Sequence, residues 1–234
     1  MTLPVINTPT YELEVPSTKD KLVYRPFLVK EEKILLMAME EESDTQLNRA
    51  LKQVVNNCTF EKIDVAKLPL FDLEYIFLRI RAKSVGEVAK LSVLCEDDGE
   101  TYVPVEVDLE SIQVEFQEGH TNKIDLTDDI GIIMGYPTFE YLNFKPDETE
   151  VTQLFEIIGA CIEQVYEGEK VYEKADFSKK DLKVFLESLT TEQFLKVQNF
   201  FETMPRLRHK MQVTNPKTKK KNEVTLEGLQ AFFE

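Results

Sequence analysis

The chain opens with an alternation of apolar and polar positions. Tyr11-Glu12-Leu13-Glu14-Val15 has the period of two expected of a half-buried strand. Pro16-Ser-Thr-Lys-Asp20 supplies a turn and Lys21-Leu22-Val23-Tyr24 resumes the extended pattern, so a β-hairpin is predicted. Ahead of it, residues 1–9 contain Pro4, Asn7 and Pro9 and read as an extended arm. The stretch Tyr24 to Met39 then turns from extended to helical. Pro26 disfavours helix at Arg25, Glu31 and Glu32 suit the positive end of a helix dipole, and Ile34 to Met39 is an unbroken apolar run. Such a run covers the whole circumference of a helix and predicts a central core helix buried on more than one side. Leu47, Ala50, Leu51, Val54, Val55 and Cys58 follow at helical spacing, behind a cap at Ser43 or Asp44. Pro69 starts a third helix with Phe71, Tyr75, Leu78 and Ala82 on one side and Ile76, Phe77 and Ile80 beside them. Arg79, Arg81 and Lys83 lie toward its C-terminal end, where cations suit the dipole.

The pattern changes after residue 85. Val88 to Leu94 and Thr101 to Val107 read as strands around the turn Glu96-Asp-Asp-Gly-Glu100, and Ile112, Val114 and Phe116 alternate as a third strand would. Ile124 to Tyr136 is ambiguous, because two glycines break its apolar run, and Pro137 ends it. A long helix capped by Asp147 or Thr149 is predicted from Val151, Leu154, Phe155, Ile158, Cys161, Ile162 and Val165, closing at Glu167-Gly-Glu169. Capping boxes at Ser178–Asp181 and Thr190–Gln193 introduce two further helices, the second stopped by Pro205. The tail has strand-like Lys210 to Thr214 and Glu223 to Leu226 about the turn Asn215-Pro-Lys-Thr-Lys-Lys-Lys221, then a short helix ending in Phe232 and Phe233. Leu91–Ile112 and Met211–Phe232 echo one another as strand, polar turn, strand and short helix. The expected architecture is α+β: an N-terminal β-hairpin with three helices, a small antiparallel β segment, and a helical C-terminal half with a terminal β-hairpin. A division into residues 1–136 and 137–234 follows from the break at Pro137, with one shared core or two left open.

Charge narrows the function classes. The chain has 234 residues and a net charge of −15, from 43 acidic and 28 basic side chains, with only two histidines. Phosphate neutralisation needs a basic surface, so nucleic acid is excluded as a general partner, and so are anionic membranes. Three scattered cysteines, Cys58, Cys95 and Cys161, do not form a disulfide framework, and Cys58 and Cys161 fall on apolar helical faces as buried thiols do. No signal peptide and no stretch of membrane-spanning length is read.

Chemistry is harder to find. Phosphate-loop, dinucleotide, H-E-x-x-H and G-x-S-x-G motifs are absent from the sequence. His209 stands among Arg206, Arg208 and Lys210, a poor place for a general base, and His120 sits in a loop. The acidic runs Glu96–Glu100 and Asp125–Asp129 do not have calcium-loop spacing and read as solvated turns. The hairpin at Cys95 has the outline of a zinc ribbon, but one cysteine does not supply four ligands. What is expected there is a metal-free, ribbon-like hairpin held by turn hydrogen bonds, and no cofactor. Candidate partner contacts are the arm Leu3–Thr10, the corner Tyr24, Arg25, Pro26 and Phe27, and the basic tail turn with Lys217, Lys219, Lys220 and Lys221, which suits an acidic partner surface.

Three stretches, LPVINTPTYELEVPST, YRPFLVKEEKILLMAM and KLPLFDLEYIFLRIRAKSVGE, resemble the baseplate assembly proteins of T-even-type contractile-tailed bacteriophages, and the ending LRHKM…EVTLEGLQAFF is similar in style. The resemblance implies a non-enzymatic protein of the host bacterial cytoplasm or the virion tail baseplate. It would act in building the baseplate hub through contacts with other hub or tail proteins, as hub component or assembly factor. A phage regulatory or nucleic-acid-associated protein and a metal-assisted hydrolase are the alternatives.

Overall fold

The computed structural model describes residues 6–41, 44–139 and 149–232. The caps expected at Ser43 and Asp147, the arm before Ile6, and Phe233 lie outside them. Among the described residues the protein is α+β, with six α-helices and several small antiparallel sheets. It divides into two compact units, one of residues 1–115 and 206–234, the other of residues 116–205.

The first unit begins with the hairpin β1 (Tyr11–Glu14) and β2 (Lys21–Tyr24). Three helices follow, α1 (Val29–Glu40), α2 (Asp44–Cys58) and α3 (Leu70–Val85). A second hairpin, β3 (Val88–Leu94) and β4 (Tyr102–Asp108), leads to β5 (Gln113–Glu115). From the end of the chain come β10 (Arg206–Thr214) and β11 (Lys221–Glu227), giving a sheet of order β11-β10-β5. Leu207 pairs with Val114, so strands far apart in sequence close this unit.

The core is built on α3 rather than on α1. Phe71, Leu73, Tyr75, Ile76, Phe77, Leu78, Ile80 and Ala82 are all buried. Arg79 is buried with them, its guanidinium donating to the Leu109 carbonyl at 2.8 Å and the Ile112 carbonyl at 2.5 Å. A charge is tolerated there because its donors meet backbone acceptors left by the β4–β5 connection. By contrast, α1 packs against α2 along one side only. Ala38 and Glu31 are buried, while Leu36, Met37 and Met39 are 55%, 53% and 61% exposed. The expectation of a core helix buried on several sides is corrected: an apolar circumference permits burial, but only covering elements produce it.

The second unit holds β6 (Lys123–Asp125), β7 (Ile130–Met134), α4 (Glu150–Cys161), β8 (Ile162–Glu167), β9 (Lys170–Glu173), α5 (Lys179–Glu187) and α6 (Thr191–Thr203). Its sheet runs β6-β7-β8-β9, all antiparallel. Ile132, Met134, Ile158, Cys161, Ile162, Leu186, Val197 and Phe200 form its core. Thr149 caps α4, and Ser178 and Thr190 cap α5 and α6 through the expected boxes. The long helix expected through Val165 stops at Cys161. Ile162 turns extended and the Ile-Glu-Gln-Val-Tyr segment pairs with β7 instead. That pairing also joins residues on both sides of the division expected near Pro137. Gly131 sits opposite Tyr166 in it, and a Cβ there would stand 2.7 Å from the Ile124 carbonyl and collide with the Tyr166 hydroxyl.

Candidate partner-binding surfaces

The corner after β2 is knotted to the first unit. The Arg25 N–H donates to the Cys58 carbonyl at 2.9 Å. Its guanidinium donates to the Pro26 carbonyl at 2.9 Å and to Glu31 Oε1 at 2.9 Å. Glu31, with no exposed surface, also accepts from the Leu28 N–H at 2.9 Å and from Asn57 at 3.3 Å. Burial works to raise the Glu31 carboxyl, but the Arg25 bond, the Leu28 N–H and the Arg25 and Lys30 charges outweigh it and hold the group below its ordinary value. Phe27 is tied to α3, its N–H donating to Ser84 Oγ at 2.9 Å. Tyr24 and Pro26 are buried, whereas Arg25 and Phe27 reach the surface in part.

Three hairpin loops of the first unit share one backbone form. In each, the carbonyl of the first residue accepts from the N–H of the fifth: Val15 from Lys19 at 2.9 Å, Cys95 from Gly99 at 3.0 Å, Asn215 from Lys219 at 2.9 Å. The fifth residue is left-handed each time, with φ of 63° at Lys19, 66° at Gly99 and 63° at Lys219. Behind the second and third hairpins the strands close alike, by Leu109 N–H to Glu87 O at 2.8 Å and Gly228 N–H to Leu207 O at 3.1 Å. The echo between the two segments is therefore structural, although after β4 the chain makes a turn, and a 3-10 helix, Gln230–Phe232, forms only after β11.

The second and third loops are clamped by one side chain. Asp97 accepts from Asn215 Nδ2 at 2.9 Å, from Asn222 Nδ2 at 2.9 Å and from the Thr218 hydroxyl, and its own N–H donates to Asn222 Oδ1 at 3.0 Å. These bonds, led by those from Thr218 and Asn215, hold the Asp97 carboxyl below its usual range. Asp98 is lowered likewise, chiefly by the Thr101 hydroxyl and by Asn215. Cys95 is buried beneath its loop, and burial pushes its thiol up.

The basic stretch of the tail separates into two parts. Along β10, Arg206 and Arg208 pair with Glu227 at 2.5 and 2.6 Å, and Lys210 pairs with Glu115 at 3.5 Å. At the tip, Lys217, Lys219, Lys220 and Lys221 are exposed on a loop anchored by the buried Asn215. No sequence signal separated neutralised strand cations from tip cations; the β5–β10 and β10–β11 pairings decide it.

Other titratable groups have partners within the fold. His120 contacts Thr203 Oγ1 at 2.9 Å and the Tyr136 hydroxyl at 3.1 Å, stacks on Tyr136, and is lowered by burial. Asp98 Oδ1 accepts from the N–H groups of Glu100 and Thr101 at 3.1 and 3.0 Å, and Asp125 accepts from the Tyr166 hydroxyl. Burial pushes the Cys58 and Cys161 thiols up to about 12. Among the described residues no group of three or more His, Cys, Asp or Glu is placed to hold a metal ion, and no helix is long and apolar enough to cross a membrane.

Among the described residues, α1 leaves an apolar face exposed, and the lysine tip stands on a hydrogen-bonded loop of an acidic chain. The family model for the T4 bacteriophage base plate protein matches residues 8–234, and the chain belongs to that family. Comparison with curated proteins and with solved structures gives no match.

Proposed function

We propose that the protein acts in building the hub of the phage tail baseplate, as a hub component or an assembly factor, through protein–protein contacts and without catalysing a reaction. The observation that carries this reading is the family match across nearly the whole chain. The lysine tip, with Lys217, Lys219, Lys220 and Lys221, is the contact proposed for an acidic patch on another hub or tail protein. At the Tyr24–Phe27 corner, Arg25 and Phe27 make the contact while the buried Tyr24 and Pro26 fix its shape. The protein would work in the host cytoplasm during assembly.

The test is capture of tagged protein from infected cells, with the bound proteins identified and purified virions probed for this chain. Hub proteins in the eluate together with the chain in virions define a component. Hub proteins without the chain in virions define an assembly factor that leaves. Recovery of no baseplate protein overturns the proposal.

A further inference from the structure

The least explained surface of the molecule is the outer face of α1. Its inner side is accounted for by Glu31 and Ala38, which are buried, and by Ile34 and Leu35, which are partly so. Its outer side carries Val29, 79% exposed, and Leu36 in one line seven residues apart. At 3.6 residues per turn, Glu32 and Met39 form a parallel line on one flank, and Lys33 and Glu40 form another on the opposite flank. An apolar line with a charged flank of Lys33 and Glu40 on one side and a mixed flank of Glu32 and Met39 on the other is a surface a further helix can pack on.

We propose that the partner is a second copy of this chain, with two α1 helices packed antiparallel about a two-fold axis near Leu36, so that Lys33 of each copy meets Glu40 of the other. The order of charges selects this occupant. Lys33 and Glu40 lie on the same flank and straddle Leu36, one toward each end of the helix. An antiparallel copy presents that flank in reverse, so both pairs form at once, as an isologous interface requires. A parallel copy would instead set like charges level with one another. Neither side chain has an ion-pair partner among the described residues, and both are exposed. The helix ends unfavourably by itself: Glu40 stands at the negative pole and the last turn has no basic residue. A copy running the other way supplies that cation. The consecutive apolar residues Ile34 to Met39 are then used on both sides, inward against α2 and outward against the copy.

This inference goes beyond the hub reading and does not depend on it, so its failure would leave that reading standing. The test is sedimentation equilibrium of the full chain, with far-ultraviolet circular dichroism to confirm that each variant keeps its helices. The wild-type protein is expected to dimerise reversibly. Leu36→Glu and Lys33→Glu are each expected to weaken the dimer by about tenfold or more. The double variant Lys33→Glu with Glu40→Lys is expected to restore it, because both pairs are rebuilt with reversed sign. A wild-type chain that is monomeric at about 100 μM overturns the proposal. Dimerisation indifferent to Leu36→Glu, or a double variant no better than Lys33→Glu, overturns it as well.

Discussion

Glu74, on α3, offers a test of how the end of the chain is held. Its Oε1 accepts from the Leu229 N–H at 3.2 Å. Burial, with a smaller contribution from the neighbouring Glu227 carboxylate, raises its carboxyl from the ordinary 4.5 to about 7, against the opposing pull of the Leu229 N–H and Arg206. The folded state therefore holds a proton that the unfolded chain has already released between these two values. For a carboxyl raised on folding, the associated stability is fully present below the unfolded value. It is lost as pH rises toward and through the folded one. At 1.36 kcal/mol per unit, the rise from 4.5 to about 7 is worth about 3 kcal/mol. Glu74→Gln keeps an oxygen for the Leu229 N–H and removes the charge. The variant is expected to match the wild type near pH 4.5 and to exceed it at pH 8 by up to about 3 kcal/mol, or about 6–12 °C in Tm. Thermal and urea melts followed by circular dichroism at both pH values check this. A gain equal at both pH values, or a loss at pH 8, would refute the reasoning.

Three further outcomes are expected. Glu31→Ala leaves the largely buried Arg25 guanidinium without its counter-charge and should cost about 2–4 kcal/mol in urea unfolding at pH 7. The Glu31 carboxyl is held below its ordinary value, so this difference should begin to shrink as pH falls below 4.5, where the unfolded chain takes up the proton, and vanish as pH falls through the lower folded value. Gly131→Ala drives a Cβ against the Ile124 carbonyl and the Tyr166 ring and should lower stability by about 1–3 kcal/mol, with melting of the second unit as the readout. Asp97→Ala removes the clamp between two loops and should speed amide exchange at Lys217, Thr218 and Cys95 while leaving α4 to α6 unchanged; unaltered exchange at the tip counts against the clamp.

What the sequence made legible was local. The first hairpin, the stripe of α2 and the capping boxes at Ser178 and Thr190 each depend on a few neighbouring residues, and all formed. What it hid depends on pairing at a distance. The units divide as they do because β5 pairs with β10 across the whole of residues 116–205. Ile162 and Val165 continue the helical apolar spacing of α4, and pairing with β7 decides for strand over Ile162 to Glu167. The run Ile34 to Met39 is more continuous than anything in α3, yet α3 is the helix that the other elements cover. Among the candidate contacts, the lysine turn was visible from composition alone. The side chain that mounts it, Asp97, lies 118 residues away from Asn215 and gave no sign beyond belonging to an acidic turn.

That mounting bears on how a protein of net charge −15 could present a basic contact at all. A flexible lysine loop on such a surface would collapse toward its own carboxylates and would lose conformational freedom again on binding. Here Asn215 is buried and bonded to Asp97, and Asn222 fixes the returning strand, so the acidic loop is engaged by the amides and hydroxyl beside the lysines. Glu227 and Glu115 meanwhile take the cations of the strand. The tip is left as a small positive site of fixed position in a negative field. In the proposed contact, such a site would orient an approaching acidic surface in one way, giving specificity from charge placement rather than from contact area.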